Sequence, residues 1–146
     1  MKNTIIYGVV ITLCVLLAYF SPAWLNGAFT YGDMMTYYSD PTNLAHAQTM
    51  AFTGLALAEL FHMLGMSNPN RSFINVFKGK NWMMLIAFIV GIALQLFVVN
   101  VPGVQDIFST VNLEITEWLI LGALSLIPLV VHESIVFINW IRRKRK

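Results

Sequence analysis

Four apolar stretches, each about as long as a bilayer's hydrocarbon core is thick, constrain this chain more than any other feature. A helix rises 1.5 Å per residue and needs about 20 apolar residues to cross that core. The stretches run over residues 4–20, 47–66, 82–101 and 118–140. Helix-stopping residues follow the first three at once: Ser21-Pro22, Ser67-Asn68-Pro69 and Pro102-Gly103. Before the fourth, Thr116 is the expected N-cap, and Glu117 suits the positive end of the helix dipole. The expected fold class is all-α: a polytopic membrane protein, a four-transmembrane-helix bundle, with residues 1–146 as a single membrane domain.

Composition agrees. Of 146 residues, 58% are apolar and 11% are charged, against about 25% charged in an ordinary soluble domain. That balance excludes a disordered chain, a secreted disulfide scaffold and a typical cytosolic enzyme. The single cysteine, Cys14, excludes an internal disulfide and a thiolate metal site.

The position of the charges sets the expected orientation. All nine Lys and Arg fall on one side: Lys2, then Arg71, Lys78 and Lys80, then Arg142, Arg143, Lys144, Arg145 and Lys146. Asp33, Asp40, Asp106, Glu114 and Glu117 fall in the opposite loops. The positive-inside rule therefore places both termini of a multi-pass cell-membrane protein in the cytoplasm. Trp24 and Trp118 then lie at the outer boundary and Trp82 and Trp140 at the inner one, the depths that amphipathic rings prefer. A competing reading takes the first span as a signal peptide, but Pro22 beside the cleavage point disfavours it. The aromatic loop from Ser21 to His46 is expected to fold onto the membrane face, and the basic tail to touch anionic lipid. The partners expected are the lipid bilayer and other membrane helices, not nucleic acid.

Glu59 and Glu133 are the only acids inside the spans, each about 10 Å from the cytoplasmic boundary of its helix. A charge at that depth is costly, so such a residue is expected to face the bundle interior and to have a partner. Glu59 has His62 three residues on, and Thr49 and Thr53 on the same helix. It reads as a cation ligand or proton carrier, or else as a protonated acid hydrogen-bonded to another helix. Glu133 reads as structural, paired with a basic group by snorkelling. His62 and His132 lack the third and fourth ligands of a metal site. Gln95 is expected to hydrogen-bond between helices. Ala47/Ala51, Gly54/Ala58 and Ala87/Gly91 have the spacing that lets helices approach closely, and Pro128 bends the fourth span.

Several segments resemble one known family. Ala47-Gln48-Thr49-Met50-Ala51-Phe52-Thr53 followed by Leu57-Ala58-Glu59-Leu60-Phe61-His62 resembles the eighth transmembrane helix of calcium-type P-type ATPases. Asn70-Arg71-Ser72 and Asn81-Trp82 resemble the next cytoplasmic loop, and Gln95-Leu96-Phe97-Val98-Val99 with Val101-Pro102 resembles the end of the ninth helix. Glu117-Trp118-Leu119 and His132-Glu133 resemble parts of the tenth. The first span takes the place of the seventh by hydropathy only. The resemblance implies the C-terminal transmembrane domain, helices seven to ten, of a P-type cation-transporting ATPase. In that family the acid matching Glu59 helps coordinate a transported calcium ion, so Glu59 is the candidate metal ligand, acting only with helices outside this chain. No such role attaches to the match of Glu133.

The chain departs from the family in lacking its engine. No aspartate is followed by lysine, so the phosphorylated Asp-Lys-Thr-Gly motif is absent, and there is no glycine-rich phosphate loop. Calcium takes six to eight oxygens, more than Glu59 and a few carbonyls supply. The expectation is a chain with no ATPase activity, no catalytic residues and no cofactor of its own; calcium, ATP and magnesium are implied for the completed pump. As a fragment, split subunit or remnant, it would brace the transport helices and associate with the N-terminal remainder or with itself. The alternative is a self-contained four-helix proton-coupled cation or drug transporter, although such proteins carry their glutamate in the first helix. A non-transporting scaffold is a third reading.

Overall fold

The computed structural model describes residues 2–66 and 82–144. Lys78, Lys80, the breakers at 67–69 and the Asn70-Arg71-Ser72 motif therefore lie outside the described residues, as do Arg145 and Lys146. The elements are α1 (Lys2–Leu25), α2 (Tyr31–Tyr38), α3 (Pro41–Met66), α4 (Trp82–Asn100), α5 (Pro102–Phe108) and α6 (Ile115–Lys144). There is no strand among the described residues, and α1, α3, α4 and α6 are long and apolar enough to cross a membrane.

Three helix ends differ from the hydropathy reading, each for a local reason. Ser21-Pro22 does not stop α1. Pro22 has no N–H to give the Ala18 carbonyl, and Ser21 Oγ donates to that same carbonyl at 2.8 Å. The helix closes later, at Gly27, whose φ of +80° places it in the left-handed region. There the Gly27 N–H bonds the Trp24 carbonyl at 3.0 Å and the Ala28 N–H bonds the Ala23 carbonyl at 2.9 Å, the Schellman pattern.

Helix α3 begins at Pro41, ahead of its apolar run. The Asp40 carboxylate accepts the Thr42 N–H at 2.8 Å, and Pro41 occupies the first-turn position where a missing N–H costs nothing. In α6 the cap is Glu114 rather than Thr116. The Glu114 carbonyl accepts the Trp118 N–H at 3.0 Å, and Glu117 Oε2 accepts the Glu114 N–H at 2.7 Å, the return half of a capping box. Thr116 lies one residue inside the helix. Pro128 lies within a helix that continues to Lys144.

The segment expected as a loop from Ser21 to His46 is mostly helical, and α2 is docked. The Tyr38 hydroxyl donates to the Tyr19 carbonyl at 3.0 Å, with the two rings 5.2 Å apart. Burial, reinforced by the neighbouring Tyr19 and Tyr37, pushes the Tyr38 hydroxyl up to about 12, so it remains a donor across the neutral range.

Helices α1, α3 and α6 pack against one another around Ala18, Met50, Leu57 and Leu121. Gly54 lies where the three meet. A Cβ there would stand 3.1 Å from Ala18 Cβ and 3.3 Å from a Leu121 methyl. Helix α4 packs on α3 and makes no comparable contact with α1 or α6. The Leu60 side chain lies across Gly91, where a Cβ would collide with it, while Ala87 is exposed.

Candidate functional site

Helix α3 carries the polar groups in three directions. Thr49 and Thr53 are buried; Glu59 is exposed; His62 is half-buried. Thr53 Oγ1 accepts from Gln95 Nε2 at 3.0 Å, joining α3 to α4 as the sequence suggested for Gln95. Both groups are nearly dry, so each satisfies the other's otherwise costly hydrogen-bonding need.

Glu59 was expected to face the bundle interior with a partner. Instead it faces a groove between α3 and α4 of about 470 Å³, lined also by Ala56, Met63, Leu94 and Gln95. Among the described residues no hydrogen bond or ion pair reaches its carboxylate. The physical reason is the thinness of α4's cover: Gln95 and Val99 are its only buried residues. Despite the three-residue spacing, Glu59 and His62 make no hydrogen bond or ion pair with each other. His62 turns toward α1, its ring 4.5 Å from that of Tyr7.

Glu133 does not join Glu59. It is half-buried and lines a separate shallow groove with Leu129, Ser134 and Phe137. Its neighbour His132 points into the core, where Nδ1 lies 3.1 Å from the Tyr7 hydroxyl and the ring covers Gly65. Tyr7, His62 and His132 thus tie α1, α3 and α6 together at one end of the bundle. Sequence reasoning missed this cluster. The available signal was three hydrogen-bonding aromatics, each a few residues from the same end of a different span.

At the opposite end, His46 Nδ1 lies 2.9 Å from Glu117 Oε1, joining α3 to α6. Among the described residues no group of three or more His, Cys, Asp or Glu side chains is placed to hold a metal ion. The groove therefore presents one carboxylate and one amide on an apolar wall. That arrangement supplies part of a coordination shell, or accepts a proton, but does not surround a cation.

A four-span helical bundle with an acid on one open seam defines a multi-pass membrane protein. Residues 1–138 match the family described as cation transporting ATPase, C-terminus, and the chain belongs to that family. It is 30% identical over 129 residues to calcium-transporting ATPase 1 of Bacillus cereus, which covers 88% of this chain and 14% of that protein. It is 35% identical over 96 residues to a calcium-transporting ATPase of Bacillus subtilis, covering 65% of this chain and 11% of the relative. Cation-transporting ATPase pma1 of Synechocystis is 32% identical over 113 residues, covering 73% of this chain and 11% of that protein. The chain thus spans only about a seventh or less of the length of these curated relatives. It is a C-terminal domain of the P-type cation ATPase type, and the fold class and family expected from the sequence hold.

Proposed function

We propose that this chain serves calcium transport by bracing the ion-carrying helices of a P-type ATPase and offering them the Glu59 carboxylate. The observation that carries the reading is the exposure of that acid on a membrane helix whose opposite face is buried. An ionised carboxylate against acyl chains costs roughly 3 kcal/mol on insertion scales, so the α3–α4 seam calls for a polar cover. Helices from the remainder of a pump supply that cover and the missing oxygen ligands. The transported cation then bridges Glu59 to groups on those helices, or Glu59 carries a proton in the return direction.

ATP, magnesium and the phosphorylated aspartate belong to that remainder, and this chain takes no part in their chemistry. The setting is a bacterial plasma membrane with both termini cytoplasmic, which places the Tyr7–His62–His132 end inside and the His46–Glu117 end outside. Co-expression with the N-terminal portion of a calcium pump should restore ATP-dependent calcium uptake into membrane vesicles, and Glu59→Ala should weaken it. Assembly of the two parts with uptake indifferent to Glu59→Ala would refute the role of the carboxylate.

A further inference from the structure

We infer that the polar cavity at the His46–Glu117 end of the bundle binds a primary ammonium group, carried by a free alkylamine or by the ethanolamine headgroup of a lipid. The inference goes beyond the transport reading and does not depend on it. The cavity measures about 470 Å³ and is lined from α1, α2, α3 and the start of α6. It lies where the apolar spans end: that of α1 closes at Leu25, that of α3 opens at Pro41 and that of α6 at Ile115. A ligand there sits at headgroup depth, within reach of water and lipid alike.

The chemistry of the cavity follows from which polar atoms the fold has already used. Asn26 Nδ2 donates to the Pro22 carbonyl at 2.8 Å and to the Tyr37 hydroxyl at 3.3 Å. Asn43 Nδ2 donates to the Tyr37 carbonyl at 3.0 Å. A carbonyl only accepts, so both amides are fixed with nitrogen turned to the backbone and Oδ1 left over. Both nitrogens of the His46 ring are engaged as well: Nε2 lies 3.0 Å from the Asn112 carbonyl oxygen and Nδ1 lies 2.9 Å from Glu117 Oε1. Glu117 Oε2 accepts the Glu114 N–H at 2.7 Å. Among the described residues no hydrogen bond or ion pair reaches the Glu114 carboxylate or either amide oxygen. Three acceptors, one of them charged, are thus left over.

A primary ammonium group brings three N–H donors and a positive charge, one donor for each acceptor. An anion would instead meet the Glu114 and Glu117 carboxylates at helix ends that Asp40 and Glu117 already cap. A bare divalent cation is served poorly, because among the described residues no three His, Cys, Asp or Glu side chains are placed to hold one. Pro22 and Leu25 supply an apolar wall for the carbon stem of an amine. The local field has the matching sign: burial pushes the Tyr37 hydroxyl up, and despite its Asn26 hydrogen bond the charges of Glu117 and Asp40 push it further. A quaternary ammonium carries the same charge but no N–H, so a site built on three acceptors prefers the primary amine.

The test is titration of the full chain in phosphatidylcholine nanodiscs with ethanolamine and, separately, with choline, read from the side-chain amide NMR signals of Asn26 and Asn43. The expected result is a saturating shift with ethanolamine at about millimolar concentration. Choline should bind at least about tenfold more weakly, and Glu114→Gln, a change at an exposed side chain, should weaken ethanolamine binding about tenfold. Discs containing phosphatidylethanolamine separate the two sources. Signals already shifted there, and no longer moved by free ethanolamine, assign the ammonium to the lipid; a full response to added ethanolamine assigns it to a free amine. Equal affinity for choline and ethanolamine, no saturating shift with ethanolamine in phosphatidylcholine discs, or binding indifferent to Glu114→Gln would overturn the inference.

Discussion

Helix α3 has two unlike faces. Toward α1 and α6 it is closed: Met50 and Ala58 have no exposure, Gly54 leaves no room for a side chain, and His132 fills the space over Gly65. Toward α4 it is open, with one glycine contact, one buried amide–hydroxyl bond and a groove that leaves Glu59 uncovered. The difference separates residues that hold the helices together from residues left open. The closed face is packed, whereas among the described residues the seam is open and carries the acid.

Substitutions on the two faces should therefore differ in cost, and the order is testable by thermal or denaturant unfolding in detergent micelles. The largest effect is expected from His132→Ala, which empties a filled site and leaves the buried Tyr7 hydroxyl without its partner, at about 3 kcal/mol. Gln95→Leu removes the buried Gln95–Thr53 bond across the seam and should cost about 0.6 kcal/mol, typical of hydrogen bonds between membrane helices. Glu59→Leu should change stability by no more than about 0.5 kcal/mol, because the side chain is exposed and among the described residues no hydrogen bond or ion pair holds it. A Glu59→Leu cost approaching that of His132→Ala would erase the distinction between the faces.

Much of this was legible in the sequence, for identifiable reasons. Four spans follow from run length and Glu59 from the cost of an acid in lipid, while Gln95 stands out as the amide of an apolar helix. The cap at Asp40-Pro41 was also written in residue types, but hydropathy passes over it because Asn43 and His46 dilute the apolar signal. Other features depend on which faces meet, and a one-dimensional pattern holds no such information. Tyr7, His62 and His132 come from three distant spans and touch only after the helices pack. Glu117 was placed correctly at a helix start, but its partners His46 and Glu114 were not evident. The direction of Glu59 was misjudged because the rule that membrane acids face inward applies to a complete bundle, and among the described residues nothing covers this seam.

The central claim is that Glu59 is a ligand presented to helices outside this chain. Radiolabelled calcium binding to the assembled two-part pump, compared between wild type and Glu59→Gln, tests it most directly. The account predicts that the variant assembles normally and binds calcium at least about tenfold more weakly, or loses a site, as expected when a carboxylate oxygen leaves the coordination shell. Equal affinity and stoichiometry in a fully assembled Glu59→Gln complex would contradict it.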